Sequence, residues 1–298
     1  QNKWPECCFR CKQEEASGIK SKRILDYERW PVEFDTYTED KGYIIAAIAF
    51  GNTCNLKCIT CHSGASSLWR KEYFDIYGVD NAPVDKLSSD ASEIYDAMPN
   101  IIHLDIPGGE PFLSEIKKQH YTTNGQIFPG QEWWNLWQNF KEIDMQLSID
   151  GVGKRYEYIR FPAKEGIIEK NTQLYIEKEK TNNNLRLSVS HTVSSYSIYY
   201  LTEFFDWCES VGLPQPWCGV VNTPKHMRPQ VFPKVIKDKI IAHLNSSRHQ
   251  DVHTWAAYIT NNDSSEYYDE FLQLTNAHDL YRNLNFANTF PELKKLLD

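Results

Sequence analysis

Three cysteines at short, fixed spacing are the residues of this sequence best suited to chemistry. They are Cys54, Cys58 and Cys61, in the segment Cys-Asn-Leu-Lys-Cys-Ile-Thr-Cys. Thiolates ligate iron-sulfur clusters, and a loop with only three of them leaves one iron of a 4Fe-4S cluster without a protein ligand. That open iron could bind a substrate or cofactor, so the loop predicts a reactive cluster.

Two other metal sites fit the same loop. The three cysteines and His62 could form a zinc knuckle. Cys58-Ile-Thr-Cys61-His62 also matches the Cys-x-x-Cys-His pattern of covalent haem attachment, although haem proteins of that kind are normally exported and no export signal is visible. The loop alone favours the cluster over zinc, and zinc over haem.

The remaining cysteines fall into two further groups. Cys7, Cys8 and Cys11 lie near the start, and Cys208 and Cys218 flank a turn late in the chain. Clustered cysteines without an export signal indicate metal binding before disulfides. Cys8, Cys11, Cys208 and Cys218 could together hold an auxiliary cluster or a zinc ion, with buried thiols as the alternative. Cys7 or Cys218 could instead donate a hydrogen atom.

Alternating strand and helix patterns must position these groups. Strands are predicted at 43–50, 101–106, 145–149, 185–193 and 217–221. Helices are predicted at 65–77, 89–98, 132–140, 165–179 and 198–210, with a helical stretch over 235–298. Regular structure is expected to begin at residue 43. Such alternation predicts an α/β fold with a parallel sheet, whose chemistry lies at the carboxyl ends of the strands.

Three further motifs follow predicted strands as the cysteine loop does. They are Gly108-Gly109-Glu110-Pro111, Thr123-Asn124-Gly125 and Ser148-Ile149-Asp150-Gly151. In this order, and together with the cysteine loop, they resemble the radical S-adenosylmethionine (SAM) enzymes over residues 43–221. Within that family the chain is similar to members with a SPASM or twitch extension, whose accessory region can hold extra cysteines.

The resemblance implies a site for the amino acid part of SAM after the second and third strands. Gly108 and Gly109 let the backbone approach a ligand, and the Glu110 carboxylate can hold an ammonium group. Asn124 is placed to orient the SAM carboxylate. Turn glycines are the ordinary alternative for any one of these motifs.

The resemblance also assigns residues to the ribose and the carboxylate of SAM. Ser148 and Asp150 are expected at the ribose hydroxyls, and Arg160 is expected to pair with the SAM carboxylate bidentately. Thr60 departs from the family, which has a bulky residue before the third cysteine and uses it near the adenine. His62 is expected at the surface, with a place behind the metal ligands as the alternative.

The fold that the resemblance implies is a partial (β/α)6 TIM-like barrel. Residues 1–42 would form a cysteine-rich extension, 43–222 the barrel and 223–298 a helical accessory region. Between Glu110 and Thr122 only eleven residues remain, too few for a full helix and the strand that should follow it. This unit is either natively short or lacks a loop, and a missing loop is favoured.

Charge and hydropathy limit the partners. A net charge of -8 argues against tight nucleic-acid binding, and without an apolar run of membrane-spanning length the cytoplasm is expected. By resemblance, a reduced cluster passes an electron to SAM, and a 5'-deoxyadenosyl radical then takes hydrogen from the substrate. An external donor such as flavodoxin or ferredoxin would supply the electron.

The type of reaction is implied by the resemblance to enzymes with an accessory region and extra cysteines, and no single motif names it. A peptide or protein side chain is the expected substrate, modified by an oxidoreductase of the maturase kind. A small-molecule dehydrogenase, epimerase or mutase is the second expectation. A zinc-stabilised binding module is the non-enzymatic alternative.

Overall fold

The computed structural model describes residues 4–5, 8–38, 45–47, 51–79, 103–105, 109–113, 120–140 and 142–298. The helix predicted at 89–98, Gly108 and Cys7 lie outside these residues. Within the described part, no helix combines the length and apolar character needed to cross a bilayer.

The described strands are all paired in parallel. They are β1 (Ile45–Ala47), β2 (His103–Asp105), β3 (His120–Thr123), β4 (Ile143–Ser148), β5 (Leu185–Val193) and β6 (Trp217–Val220). Strand β1 pairs with β2, and β3 to β6 form a four-stranded sheet in chain order. The predicted α/β class with a parallel sheet is confirmed. Closure of all six strands into a partial barrel stays a prediction, because the described strands form two sheets.

Helices precede, connect and follow these strands. They are α1 (Phe9–Ala16), α2 (Lys22–Arg29), α3 (Pro31–Asp35), α4 (Trp69–Tyr77), α5 (Gln131–Trp137), α6 (Lys154–Ile159), α7 (Glu165–Thr181), α8 (Leu201–Val211), α9 (Lys234–Asn245), α10 (Gln250–Asn261), α11 (Tyr268–Arg282), α12 (Phe286–Thr289) and α13 (Pro291–Leu297). Short 3-10 turns lie at Pro111–Leu113, Ile198–Tyr200, Lys225–Met227 and Ser265–Tyr267. The helical character predicted for 235–298 is therefore found.

The expectation that regular structure begins at residue 43 was wrong. Three helices precede it, and their start signals are local. The Ser21 side chain accepts a hydrogen bond from the Ile24 amide at the start of α2, and Pro31 occupies the first turn of α3. Both are ordinary helix-start devices, but the helices are short and polar, so hydrophobic periodicity did not reveal them.

The two faces of the four-stranded sheet differ in polarity. In β4 the alternate residues Ile143, Met145 and Leu147 are buried, while Ser148 belongs to the half-buried set. Strand β5 has the same alternation, with Thr192 in its half-buried set. Because side chains alternate along a strand, one face carries the apolar residues and the opposite face carries hydroxyls.

Helix α11, in the last part of the chain, packs on α4 in the first part. Its Arg282 Nε donates to Glu72 Oε1 at 2.5 Å, and His278 Nδ1 lies 3.3 Å from the same oxygen. Lys57 Nζ lies 2.6 Å from Glu72 Oε2. Glu72, His278 and Arg282 are all buried. We call these four residues, Lys57, Glu72, His278 and Arg282, the anchor cluster.

The anchor cluster lowers the pKa of Glu72. Burial opposes its ionisation, but the hydrogen bond to His278 and the charge of Arg282 outweigh that cost and lower the pKa of Glu72 to about 2. In the unfolded chain a glutamate has a pKa of about 4.3. Ionised Glu72 therefore stabilises the fold above that pH, and the stabilisation is lost as the pH falls from about 4.3 toward 2.

Replacing Glu72 by Gln should remove this pH-dependent stabilisation. We expect the free energy of unfolding in urea, measured on metal-free protein, to differ most between wild type and Glu72→Gln at about pH 6 and less at about pH 3.5. At the lower pH the unfolded wild-type chain gains by protonating this glutamate, whereas folded Glu72 stays ionised. Glu209→Gln is the control, since Glu209 forms an exposed ion pair with Arg248. A difference that stays constant over this range would contradict the assignment.

Candidate functional site

One cavity of about 460 Å³ lies where the cysteine segment meets the carboxyl ends of β3, β4 and β5. Cys54, Cys58 and Cys61 all line it, and the opposite wall includes Ser148 of β4 and Thr192 of β5. This volume lies within the usual range for small-molecule sites, about 300–1,000 Å³. The structure thus brings the three sequence-predicted cysteines to one ligand-sized space at the edge where parallel sheets carry their chemistry.

The cysteine segment is held by its own backbone. The Lys57 amide donates to the Phe161 carbonyl at 2.8 Å, and the Ile59 amide donates to the Ile159 carbonyl at 2.7 Å. The indole Nε1 of Trp69 donates to the Cys58 carbonyl at 2.8 Å. These bonds tie the segment to the end of α6 and the start of α4, so its conformation does not depend on a bound metal alone. The helix predicted from residue 65 begins only at Trp69, because turns occupy the residues before it.

The three thiols resist ionisation when only protein surrounds them. Burial raises the pKa of Cys58 to about 12 and that of Cys61 to about 11, and it also raises the pKa of Cys54. The positive charge of Arg160 opposes this shift for each thiol. Metal ligation requires thiolates, and a bound cation would reverse the effect of burial.

The three sulfur atoms do not meet at the space of a single ion. Two thiolates on one zinc ion lie at most about 4.6 Å apart, because each Zn–S bond is about 2.3 Å long. Among the described residues, Cys54, Cys58 and Cys61 do not bring all three sulfur atoms within 4.8 Å of one another. Three thiols on one cavity could each ligate one iron of a cluster.

His62 lies at the rim of the same cavity. Its side chain is exposed, and its Nδ1 accepts a hydrogen bond from the Gly64 amide at 3.2 Å. The expected surface position is therefore found. Thr60 also lines the cavity.

Arg160 lies in the cavity wall with a buried counter-ion behind it. Its Nη2 lies 2.9 Å from Asp150 Oδ2, and Asp150 Oδ1 accepts the Thr192 amide at 2.7 Å. Burial disfavours the guanidinium charge, but the Asp150 carboxylate outweighs that effect and raises the pKa of Arg160. Arg160 Nε is buried and has no hydrogen-bond partner in the described part of the chain. Arg160 therefore brings a permanent positive charge to the cavity wall, where it can attract an anionic ligand.

Asp150 differs from the sequence expectation. It was expected to contact a ribose hydroxyl, but it is 1% exposed and is not part of the cavity lining. Its two oxygens are directed to Arg160 and to the Thr192 amide. Asp150 supports Arg160 from behind, whereas Ser148 does line the cavity as expected.

Glu110 also differs from the expectation. The carboxylate that was expected to hold the SAM ammonium is 2% exposed and does not line the cavity. Its Oε1 accepts a hydrogen bond from the Thr123 hydroxyl at 2.7 Å, and its Oε2 accepts one from the backbone amide of Asn124 at 2.9 Å. Glu110 therefore fixes the turn after β3, and Asn124 lines the cavity on that turn. The Asn124 side chain donates to Asn55 Oδ1 at 2.8 Å, inside the cysteine segment.

Gly109 is the closest point between the cysteine segment and the motif after β2. Its amide donates to the Ala65 carbonyl at 3.0 Å, and the next amide, of Glu110, donates to the Thr53 carbonyl at 2.8 Å. Gly109 has φ +66°, and a Cβ atom there would overlap the Thr53 carbonyl oxygen. Only glycine fits this position, and the close approach seen is to the protein backbone at Thr53, whereas the expected approach to a ligand stays a prediction.

Sequence reasoning missed other residues of the wall. Thr122, Thr123 and Thr192 line the cavity, as does Leu56. Thr192 is the last half-buried residue of β5, at the same sheet edge as Ser148. Its position at the carboxyl end of a predicted strand was the signal that could have identified it.

The four cysteines of the predicted auxiliary site do not converge in the described structure. In the described part of the chain, no three of Cys8, Cys11, Cys208 and Cys218 place their sulfur atoms within 4.8 Å of one another. The N-terminal segment nonetheless lies against β6, as a shared site would require. A cavity of about 400 Å³ is lined by Ile19 from that segment and by Cys218.

Comparisons with known proteins add context to this geometry. No protein-family model and no curated protein matches the sequence. Among solved structures, the chain is similar to native anSMEcpe with bound AdoMet (16% identity, TM-score 0.44, covering 59% of this chain and 52% of that one). It is also similar to Streptococcus suis SuiB bound to S-adenosylmethionine (14%, 0.46, 79% and 56%) and to SuiB bound to precursor peptide SuiA (14%, 0.42, 96% and 64%).

These likenesses are distant. The chain spans about half the length of the first of these proteins. S-adenosylmethionine is the ligand named for two of them. At these identities and TM-scores no activity passes from them to this chain, so its function has to be argued from its own residues.

Gly109→Ala should disturb the site more than its size suggests. A left-handed φ costs a residue with a Cβ roughly 1–2 kcal/mol, and the overlap with Thr53 adds to it by displacing the cysteine segment. We expect a lower free energy of unfolding and weaker iron binding after reconstitution. Gly166→Ala is the control, because Gly166 lies in α7 with open space around it. Unchanged stability and iron content in Gly109→Ala would show that the approach is not needed.

Proposed function

We propose that this chain is a radical SAM enzyme that holds a 4Fe-4S cluster on Cys54, Cys58 and Cys61. The observation that carries the proposal is that all three cysteines and Arg160 line one ligand-sized cavity at the carboxyl edge of a parallel sheet. Three thiolates leave one iron without a protein ligand, and the cavity provides space for a molecule beside it. Bound there, the cluster and SAM would supply the radical that takes hydrogen from a substrate.

The residues of the wall would bind and orient SAM. Arg160, kept charged by Asp150, would hold the SAM carboxylate from the cavity wall. Ser148 and Thr192 would offer their hydroxyls to the ribose. Asn124 would use its side chain to orient the SAM carboxylate. Glu110 would act indirectly, by fixing the turn that presents Asn124. Gly109 would let SAM approach the backbone.

The substrate that we propose is a peptide or protein side chain, modified by an oxidoreductase of the maturase kind. Support comes from the resemblance to members with an accessory region and extra cysteines. Residues of the N-terminal segment line a cavity together with Cys218 of β6, which supports an accessory role for that segment. We further propose that Cys8, Cys11, Cys208 and Cys218 form the auxiliary site, after a rearrangement that metal binding would drive. An external flavodoxin or ferredoxin would deliver the electron.

Replacing Cys54, Cys58 and Cys61 by Ala should abolish formation of 5'-deoxyadenosine from SAM under reducing conditions. Wild type, purified without oxygen, should contain about four or more irons per chain with matching acid-labile sulfide, since one cluster holds four. Ser67→Ala is the control, because Ser67 lies shortly after the cysteine segment, is exposed and is not part of the cavity lining. Zinc without iron in wild type would overturn the proposal, and iron left in the triple variant would belong to the auxiliary cysteines.

Arg160→Gln should weaken SAM binding while leaving iron content unchanged. Loss of a charged hydrogen bond costs about 1.5–3 kcal/mol, so we expect SAM affinity to fall by about 10- to 100-fold in equilibrium binding. Arg155→Gln is the control, since Arg155 lies in the first turn of α6, the helix that ends just before Arg160, and pairs with Glu203 away from the cavity. Wild-type SAM affinity in Arg160→Gln would show that another group holds the carboxylate.

A further inference from the structure

We propose that Arg282 of α11 is a positioning residue that holds the cysteine segment in its ligand-binding conformation. The inference rests on the proposed cluster site, and it concerns a residue more than 200 positions away from it. Arg282 Nη2 donates to the Lys57 carbonyl at 2.8 Å, and its Nε donates to Glu72 at 2.5 Å. The Arg282 guanidinium therefore joins α11 to α4 and to the backbone between Cys54 and Cys58.

The direction of the Lys57 carbonyl affects how Cys58 is oriented. It belongs to the peptide bond that leads into Cys58, so its direction sets the orientation of that peptide plane. The carbonyl of Cys58 itself accepts from Trp69 Nε1 at 2.8 Å. Two successive carbonyls around the middle cysteine are thus held by two side chains, Arg282 and Trp69.

These two side chains also contact each other. The guanidinium carbon of Arg282 lies 4.8 Å from the ring centre of Trp69 and 5.1 Å from that of Phe161. Phe161 is the residue whose carbonyl accepts the Lys57 amide. Trp69 and Phe161 therefore both flank the Arg282 guanidinium, and each also bonds the cysteine segment, Trp69 at the Cys58 carbonyl and Phe161 at the Lys57 amide.

The geometry requires arginine. A planar guanidinium can donate to Glu72 and to the Lys57 carbonyl at once, whereas a lysine ammonium is a single point charge on a flexible stem. Arg282 is buried, so water does not replace a lost donor there easily. Groups that orient metal ligands from behind commonly change metal affinity when they are replaced.

The test compares Arg282→Gln and Arg282→Lys with Thr275→Val. Thr275 lies two turns earlier on α11, is buried, and shares a 2.7 Å hydrogen bond with the Tyr196 hydroxyl. It is not bonded to the cysteine segment, so its replacement loosens the same helix without touching that segment. The first measurement is amide hydrogen exchange of residues 54–61 in metal-free protein. The second is the electron paramagnetic resonance spectrum and chelator resistance of the reconstituted protein.

We expect both Arg282 variants to exchange the Lys57 and Ile59 amides on the order of tenfold faster than wild type, the factor expected for one charged hydrogen bond. Their spectra should change, and their resistance to chelator should fall by about 10- to 100-fold. Thr275→Val should lower the melting temperature but leave the exchange of 54–61 and the spectrum as in wild type.

Exchange and spectra in the Arg282 variants equal to those of Thr275→Val would overturn the inference, because Arg282 would then only stabilise the fold. If Arg282→Gln does not fold, Arg282→Lys decides the question, since it keeps a charge opposite Glu72. Wild-type protein without iron would instead refute the proposed function, whereas the exchange result in metal-free protein tests Arg282 independently.

Discussion

The buried carboxylate of Glu72 is the interaction on which the site depends most. It receives contacts from Lys57 in the cysteine segment and from His278 and Arg282 in α11. Removing such charges from water is costly, and a buried ion pair often adds little net stability. The contribution of the anchor cluster is therefore mainly to select one arrangement, because any other would leave a charge buried without a partner.

A second constraint is the difference between the two faces of the sheet. Strands covered by helices on both faces are usually apolar throughout. Here β4 and β5 alternate, and Ser148 and Thr192 turn their hydroxyls to the cavity. The apolar face carries the packing energy, so the polar face is free to meet a hydrated, charged ligand. Asp150 and Glu110 lie behind this surface and hold its charged and backbone groups in place.

Part of this structure could be predicted from the sequence, for identifiable reasons. Strand β5 was predicted with its observed limits, because nine alternating residues carry a clear period. The three cysteines were predicted to share a site, since their spacing leaves few alternatives. Glu110 and Asp150 were assigned to the ligand itself, because a sequence shows that a carboxylate follows a strand but not which way it points. The anchor cluster was not predicted, since a contact between Glu72 and Arg282 leaves no local pattern.

The link between Lys57 and Arg282 also orders events during synthesis. A ribosome delivers the cysteine segment more than 200 residues before it delivers Arg282, so the segment emerges without the guanidinium that bonds its backbone. Thiols that are not yet buried are open to oxidants and to adventitious metals. Any cluster that this segment holds would therefore meet the folded backbone conformation only once residue 282 has left the exit tunnel.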